Sequence, residues 1–303
     1  MEYLYALIIG LIAGMIVNIL ADDLPLRRAP RLPRYIPLRK KQAVRKPVFN
    51  EDGENITLQY AREDDEPRPF VAWLGITAFL FGKRESSDGS AKLSWRYPIA
   101  EVMTIAFMLL AVFAAGLLNQ DEVMVNDLQL AFWFFYMAAF SLIIVIDMEH
   151  KLILFAVIIP SSIVAVIDAI IPGSYRPDIV EAMYGGMLGF LVFFIIYNGG
   201  FLFTYIAGRL RGEDVTGVAF GYGDVMMATL SGLLLGWQAL IFATVFAIFL
   251  GSFGAIAVIL IQVFQKRYSA FTAIPYGPFI VIGTMIMLLF GETLVPGIFG
   301  WSA

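Results

Sequence analysis

The apolar residues of this chain are gathered into blocks whose lengths approach what a membrane-crossing helix requires. An α-helix needs about 20 consecutive, predominantly apolar residues to span a bilayer. Eight blocks have this character, at roughly 3–20, 98–118, 128–147, 152–171, 180–206, 225–237, 239–264 and 276–291. Hydrophobic residues make up 59% of the chain and charged residues only 15%, which excludes an ordinary soluble domain. The sequence therefore predicts an all-α membrane protein with about eight transmembrane helices.

The polar segments divide the chain into three regions. We expect a first transmembrane helix at 1–21, a long cytoplasmic loop region at 22–97 and a transmembrane core at 98–303. The loop contains one apolar stretch, 70–81, which is too short to span and is expected to lie in the membrane interface or to pack beneath the core. Because only Gly236, Trp237 and Gln238 separate the sixth and seventh blocks, a count of seven spans stays open.

The basic residues predict the orientation of the chain. With eight spans, one side of the membrane receives 20 of the 21 lysines and arginines, and only Arg176 falls on the other. Cytoplasmic loops collect Lys and Arg, so this side is predicted to be the cytoplasm and the N-terminus to lie outside. The first block follows Glu2 and precedes Arg27 and Arg28, the reverse of the charge order of a secretory signal peptide, so we expect a retained span.

Several kinds of site are excluded by composition. The chain has no cysteine, which removes disulfides, thiolate metal sites and thiol nucleophiles. Its single histidine, His150, rules out a multi-histidine metal centre. A net charge of −4 gives no indication of nucleic-acid binding.

Two aspartates are predicted to reach the same depth of the membrane on the same side. Asp147 ends the third block and Asp224 opens the sixth, after Gly221 and Gly223. If the two carboxyl groups face each other, they share one proton, which provides a base to activate water and an acid to protonate a carbonyl. The glycines allow an irregular backbone and the close approach of an extended peptide. The spacing alone is equally compatible with two interfacial acids that only reach to water.

Five sequence motifs occur in the order found in one family of enzymes. They are Gly10-Leu-Ile-Ala-Gly14 with Asn18 and Leu24-Pro25, Trp95-Arg-Tyr-Pro98 with Glu101, Ile146-Asp147, Gly221-Tyr-Gly-Asp224 and Ile274-Pro-Tyr-Gly-Pro278. Together the motifs resemble the bacterial type IV prepilin peptidases, which are Gly-x-Gly-Asp membrane aspartic proteases. The resemblance implies that Asp147 and Asp224 are catalytic, that the substrates are type IV prepilins or pseudopilins cut after a glycine, and that the protein is a multi-pass inner-membrane protein whose active site faces the cytoplasm.

One departure from the family concerns its cofactors. The family's cytoplasmic loop usually carries two Cys-x-x-Cys pairs that look like a zinc site, and this chain lacks that cysteine tetrad. We therefore expect no zinc-stabilised loop. Proteolysis by an aspartate pair needs no cofactor, and S-adenosylmethionine would be required only if the chain retains the N-methyltransferase activity of many family members.

The remaining candidates have competing interpretations. Glu101 either helps to bind substrate or pairs with Arg96, and the sequence favours the pairing. Glu149, together with Glu213 and Asp214, either forms an acidic surface for a basic leader or belongs to ordinary solvated loops. A small membrane transporter and a non-catalytic relative that holds pilins for assembly are the alternative functions.

Overall fold

The computed structural model describes residues 2–36, 66–120, 125–171, 177–211, 221–264 and 275–299. Within these ranges the chain is almost entirely helical. The short strands β1 (Arg34–Tyr35) and β2 (Glu66–Pro67) pair antiparallel. The α-helices are α1 (Glu2–Asp23), α2 (Gly75–Leu80), α3 (Arg96–Gln120), α4 (Asp127–His150), α5 (Phe155–Ile170), α6 (Ile179–Arg211), α7 (Tyr222–Phe264) and α8 (Gly277–Phe299).

The long helices confirm the prediction of an all-α membrane protein. In the described residues, α1, α3, α4, α6, α7 and α8 are long and apolar enough to cross a membrane, and α5 is a shorter apolar helix. The sixth and seventh apolar blocks both lie in α7, whose 43 residues are interrupted at Gly236. Gly236 has φ +73° and ψ 175°, a backbone conformation found almost only at glycine. The eight predicted blocks thus form seven apolar helices, one of which is broken in two.

Polar caps define both ends of α4. Asn126 accepts a 2.8 Å hydrogen bond from the backbone N–H of Gln129, which starts the helix. At the other end Lys151 adopts the left-handed conformation, with φ 54°, and its N–H donates to the carbonyl oxygen of Asp147 at 2.8 Å. This C-terminal cap places Asp147 in the last turn of α4.

The described chain divides into two compact units. The first comprises Met1–Val112 and Met137–Val145, and the second comprises Phe113–Tyr136 and Ile146–Ala303. This division differs from the predicted one, because the first helix and the loop region belong to the same unit as most of α3. The helices α3 and α4 each contribute residues to both units.

Two acids close α1 in the first unit. Negative charge at the C-terminus of a helix is unfavourable by itself, and here both carboxylates pair with arginine. Asp22 accepts a 2.9 Å bond from Arg96 and is also bonded by the hydroxyl of Tyr97. Asp23 pairs with Arg34, the first residue of β1. These two ion pairs attach the start of α3 and the first loop strand to the end of α1.

The short apolar stretch of the loop folds as a 3-10 turn, Phe70–Ala72, followed by α2. Ala72 and Ala78 are fully buried in a small core with Tyr35, Leu93 and Tyr97. The stretch is only two short helical pieces, which confirms that it does not span. Its outward side chains include Phe70 and Leu80, which are 80% and 75% exposed.

The second unit is held together by close helix packing. Gly185 on α6 and Gly232 on α7 are in backbone contact so close that neither position has room for a β-carbon. Small residues of this kind allow membrane helices to approach without large side chains between them. Ser231 on α7 and Thr284 on α8 share a 2.7 Å hydrogen bond between their hydroxyl groups. α6, α7 and α8 thus form the frame of this unit.

Candidate active site

Asp147 is deeply buried at the end of α4. Its side chain is only 5% exposed, and its Oδ2 atom has no hydrogen-bond partner among the described residues. The backbone N–H of Gly277, the first residue of α8, donates toward the same carboxyl group. Burial of an unsatisfied carboxylate oxygen is costly, so this atom is poised to accept a hydrogen bond from an incoming group.

Asp224 lies in the first turn of α7 and is partly exposed. Its Oδ2 atom accepts a 3.2 Å hydrogen bond from the backbone N–H of Gly221, and its own N–H donates to the carbonyl oxygen of Gly221 at 3.1 Å. The two aspartates that the sequence singled out lie near the same residue, Ile153, which packs against Gly223 beside Asp224 and against Gly277 beside Asp147.

The loop that follows α4 packs between two glycines. A β-carbon on Gly223 would lie 2.8 Å from Cβ of Ile153, and one on Gly277 would lie 3.1 Å from Cδ1 of the same residue. Ile153 therefore needs a bare α-carbon on both sides. The sequence predicts the close approach of a substrate peptide at Gly223, but Ile153 occupies that space. Gly221 is exposed, and the described atom nearest to its β-carbon position is Oδ2 of Asp224.

Aromatic side chains lie near Asp224. Burial, and secondarily the charge of Asp224, raises the pKa of Tyr276, which precedes α8. Tyr222, two residues before Asp224, contacts Phe155 of α5 and Tyr197 of α6, with ring centroids 6.0 and 5.6 Å apart. These contacts pack the start of α7 against α5 and α6.

The comparisons with known proteins agree with this arrangement. Residues 133–256 match the type IV leader peptidase family. That segment belongs to the family. The prepilin leader peptidase/N-methyltransferase of Stutzerimonas stutzeri is 23% identical over 302 residues, covering 96% of this chain and 91% of its own. The prepilin leader peptidase/N-methyltransferase of Pseudomonas putida is 24% identical over 291 residues, covering 95% and 91%. No solved structure gives a significant match.

The leader peptidase domain contains both aspartates and the glycines before Asp224. The match of this segment and the names of the two relatives support a peptidase. Glu101 and Gly277 lie outside the matched segment. The sequence had marked Gly277 only as part of a motif, and Ile153 and Tyr276 were not recognised as neighbours of the aspartates.

Glu101 has different partners from the one that the sequence favoured. It is fully buried in the first unit, where it accepts hydrogen bonds from the N–H groups of Gly75 and Ile76 at 2.5 and 2.9 Å. The side chain of Asn18 donates to it at 3.1 Å, as expected for an asparagine that joins two helices. Arg96 instead pairs with Asp22. Glu101 therefore anchors α2 to α1 and α3.

The candidate acidic surface is only partly described. Glu149 is partly exposed near the end of α4, with one of its oxygens 4.0 Å from Nε2 of His150. Glu213 and Asp214 lie outside the described residues. Another buried acid, Asp168, accepts hydrogen bonds from Gln129 and Tyr136 at 3.1 and 2.9 Å. These contacts give Asp168 a structural role between α4 and α5.

The described residues contain no cluster of three histidines, cysteines or acids placed to hold a metal ion. A cleft beside the end of α1 is lined by charged and aromatic side chains, including Asp22, Arg68 and Trp73. No step of the chemistry is assigned to a metal or to S-adenosylmethionine.

Proposed function

We propose that the chain is a membrane aspartic endopeptidase that removes the short basic leader from type IV prepilins or pseudopilins. Asp147 and Asp224 form its catalytic pair. The observation that carries this proposal is that Ile153 packs against both Gly277, which borders Oδ2 of Asp147, and Gly223, which precedes Asp224. The names of the two relatives supply the class of substrate.

The chemistry needs no covalent intermediate. The ionised carboxylate takes a proton from water, and the resulting hydroxide attacks the scissile carbonyl carbon. The protonated carboxyl group donates its proton to the carbonyl oxygen, which gives a tetrahedral diol. When the diol collapses, the C–N bond breaks and the amine nitrogen receives a proton from the first carboxyl group, while one hydroxyl of the diol returns its proton to the second carboxyl group and becomes the carbonyl of the new acid. Two neighbouring carboxyl groups with one proton between them are sufficient for each step.

We propose that the substrate reaches the two aspartates from the side on which Gly221 is exposed. Gly221 is exposed, and among the described residues a β-carbon there would meet only Asp224 and Gly223, whereas Gly223 packs on Ile153. The apolar segment that follows the leader would remain in the bilayer. We propose that the site faces the cytoplasm of the inner membrane, because 20 of the 21 basic residues fall on the corresponding side of the predicted topology.

Glu149 is the described member of the proposed acidic surface for the leader. Its charge lies two residues beyond Asp147, at the end of α4. Replacement of Glu149 by lysine should raise KM for a leader that carries lysine and leave KM unchanged for a leader whose lysines are replaced by glutamine. Equal KM values for both leaders in this variant would remove Glu149 from the surface.

A cleavage assay tests the proposed activity. The purified full-length protein in detergent is incubated with several candidate prepilins from the same genome, and the new N-termini are identified by mass spectrometry. We expect one cut that separates the basic leader from the apolar segment. If a folded protein cuts none of them, the transporter and the non-catalytic pilin-holding role become the better descriptions.

A further inference from the structure

We propose that Gly277 is a positioning residue of the catalytic pair, although it lies outside the segment matched to the peptidase family. Its backbone N–H is directed at the carboxyl group of Asp147, and its bare α-carbon allows Oδ2 to lie close against the start of α8. The inference rests on the proposed function, because Asp147 is one of the two carboxyl groups that would activate water. The start of α8 is thereby a third wall of the site, beside the end of α4 and the start of α7.

The first argument is steric. A β-carbon on Gly277 would lie 2.6 Å from Oδ2 of Asp147 and 3.1 Å from its Cγ. The far side of the position is closed by Cδ1 of Ile153, also at 3.1 Å. A methyl group at this position therefore cannot be accommodated without movement of the carboxyl group, of Ile153 or of the start of α8.

The second argument comes from hydrogen bonding. Gly277 is the first residue of α8, and the first N–H groups of a helix have no partner within it. The N–H of Gly277 donates toward Asp147, while Oδ2 is buried and has no partner among the described residues. The helix end thus fixes the carboxyl group without satisfying all of it. The unsatisfied oxygen is the one that borders the bare α-carbon.

The third argument compares the two aspartates. Each has a glycine N–H directed at its carboxyl group, Gly277 for Asp147 and Gly221 for Asp224. Gly221 is exposed, and a β-carbon there would be in ordinary contact with Asp224 at 3.5 Å. The steric restriction is therefore specific to Gly277, the glycine of the two whose bare α-carbon borders a buried carboxylate oxygen.

Kinetics of matched glycine variants test the proposal in the full-length protein. Gly277→Ala should lower kcat for prepilin cleavage about 100-fold, the effect of misplacing a catalytic group by about 1 Å, with KM within about twofold. It should also displace the pH profile of kcat. Gly291→Ala, on the same helix, should change neither, because its β-carbon would meet only the flexible end of Met287 at 3.1 Å.

A packing role is distinguished by a third variant. A β-carbon on Gly283 would lie 2.5 Å from the carbonyl oxygen of Ala243, so Gly283→Ala should lower the melting temperature through α7–α8 packing. The melting temperature of Gly277→Ala should be close to that of Gly291→Ala. If Gly277→Ala loses stability as Gly283→Ala does and its folded fraction cleaves with the wild-type kcat and pH profile, the glycine is a packing residue and the proposal is wrong.

The contact itself can be measured without activity. The chain has no cysteine, so the double substitution Asp147→Cys with Gly277→Cys introduces its only two thiols. Their β-carbons would be within reach of a disulfide. We expect oxidation to cross-link this pair, whereas Asp147→Cys with Gly291→Cys should stay reduced, because 14 helical residues at about 1.5 Å each separate the two glycines.

The two measurements separate the possible failures. Absence of the cross-link overturns the inference whatever the enzyme does. A cross-link combined with wild-type kinetics in Gly277→Ala overturns it as well, since the contact then has no catalytic consequence. If the cross-link forms and the wild-type protein cuts no prepilin, the geometry stands but the proposed function fails, and the positioning role fails with it.

Discussion

The carboxylate of Glu101 accepts a hydrogen bond from the backbone N–H of Gly75 at 2.5 Å. The N–H of Ile76 reaches the other carboxylate oxygen at 2.9 Å, so one buried side chain satisfies two N–H groups at the start of α2. A carboxylate at a helix N-terminus is also favoured by the helix dipole. Through this single residue, a short loop helix is fixed to a membrane helix.

Replacement of Glu101 should loosen that attachment. In Glu101→Gln one acceptor oxygen becomes an NH₂ group that faces a backbone donor, which should cost about 1–3 kcal/mol of unfolding free energy. The measurement is thermal unfolding in detergent, together with limited proteolysis of the loop region. Glu85→Gln is the control, because Glu85 forms an exposed pair with Lys92 and solvent screens such pairs so that they contribute little to stability. Equal stability of the two variants would contradict the anchoring role.

The break in α7 provides a second prediction. Gly236 has φ +73° and ψ 175°, and an alanine held there should cost about 1–3 kcal/mol. Gly236→Ala should therefore lower the melting temperature, whereas Gly291→Ala, inside a regular helix, should not. A melting temperature for Gly236→Ala equal to that of the wild type would show that α7 does not need this conformation.

The stability of the turn that contains Asp88, in the loop region, should depend on pH. The Ser86 hydroxyl and the Ser90 N–H lower the pKa of Asp88 from 3.8 to about 2. Because the folded pKa is the lower one, the carboxylate stabilises the turn fully above pH 3.8, and this contribution is lost as the pH falls through 2. Hydrogen exchange of the Ser90 amide should accordingly lose protection across this interval in the wild type but change less in Asp88→Asn. The same pH dependence in both proteins would contradict the prediction.

The features that could be predicted from sequence are those set by local pattern. Runs of apolar residues determine where membrane helices form, and the position of an acid at the end of such a run determines its depth. Asp147 and Asp224 were singled out in this way.

The features that could not be predicted depend on contacts between distant segments. Nothing in the sequence around Glu101 indicates that its partners are the N–H groups of Gly75 and Ile76, so the nearby Arg96 was the natural expectation. Gly277 likewise resembles other glycines until α8 is placed against Asp147. Backbone donors leave no trace in a sequence, because almost every residue carries one.

The central claim is that Asp147 and Asp224 act as the catalytic pair. The most direct test is the rate of prepilin cleavage by the wild type, Asp147→Asn and Asp224→Asn, with equal membrane insertion verified for each. Asp168→Asn serves as the control, because Asp168 is a buried acid bonded to Gln129 and Tyr136. We expect each active-site variant to lose at least about 100-fold in rate and Asp168→Asn to cleave like the wild type. A wild-type rate in either Asp147→Asn or Asp224→Asn would contradict the claim.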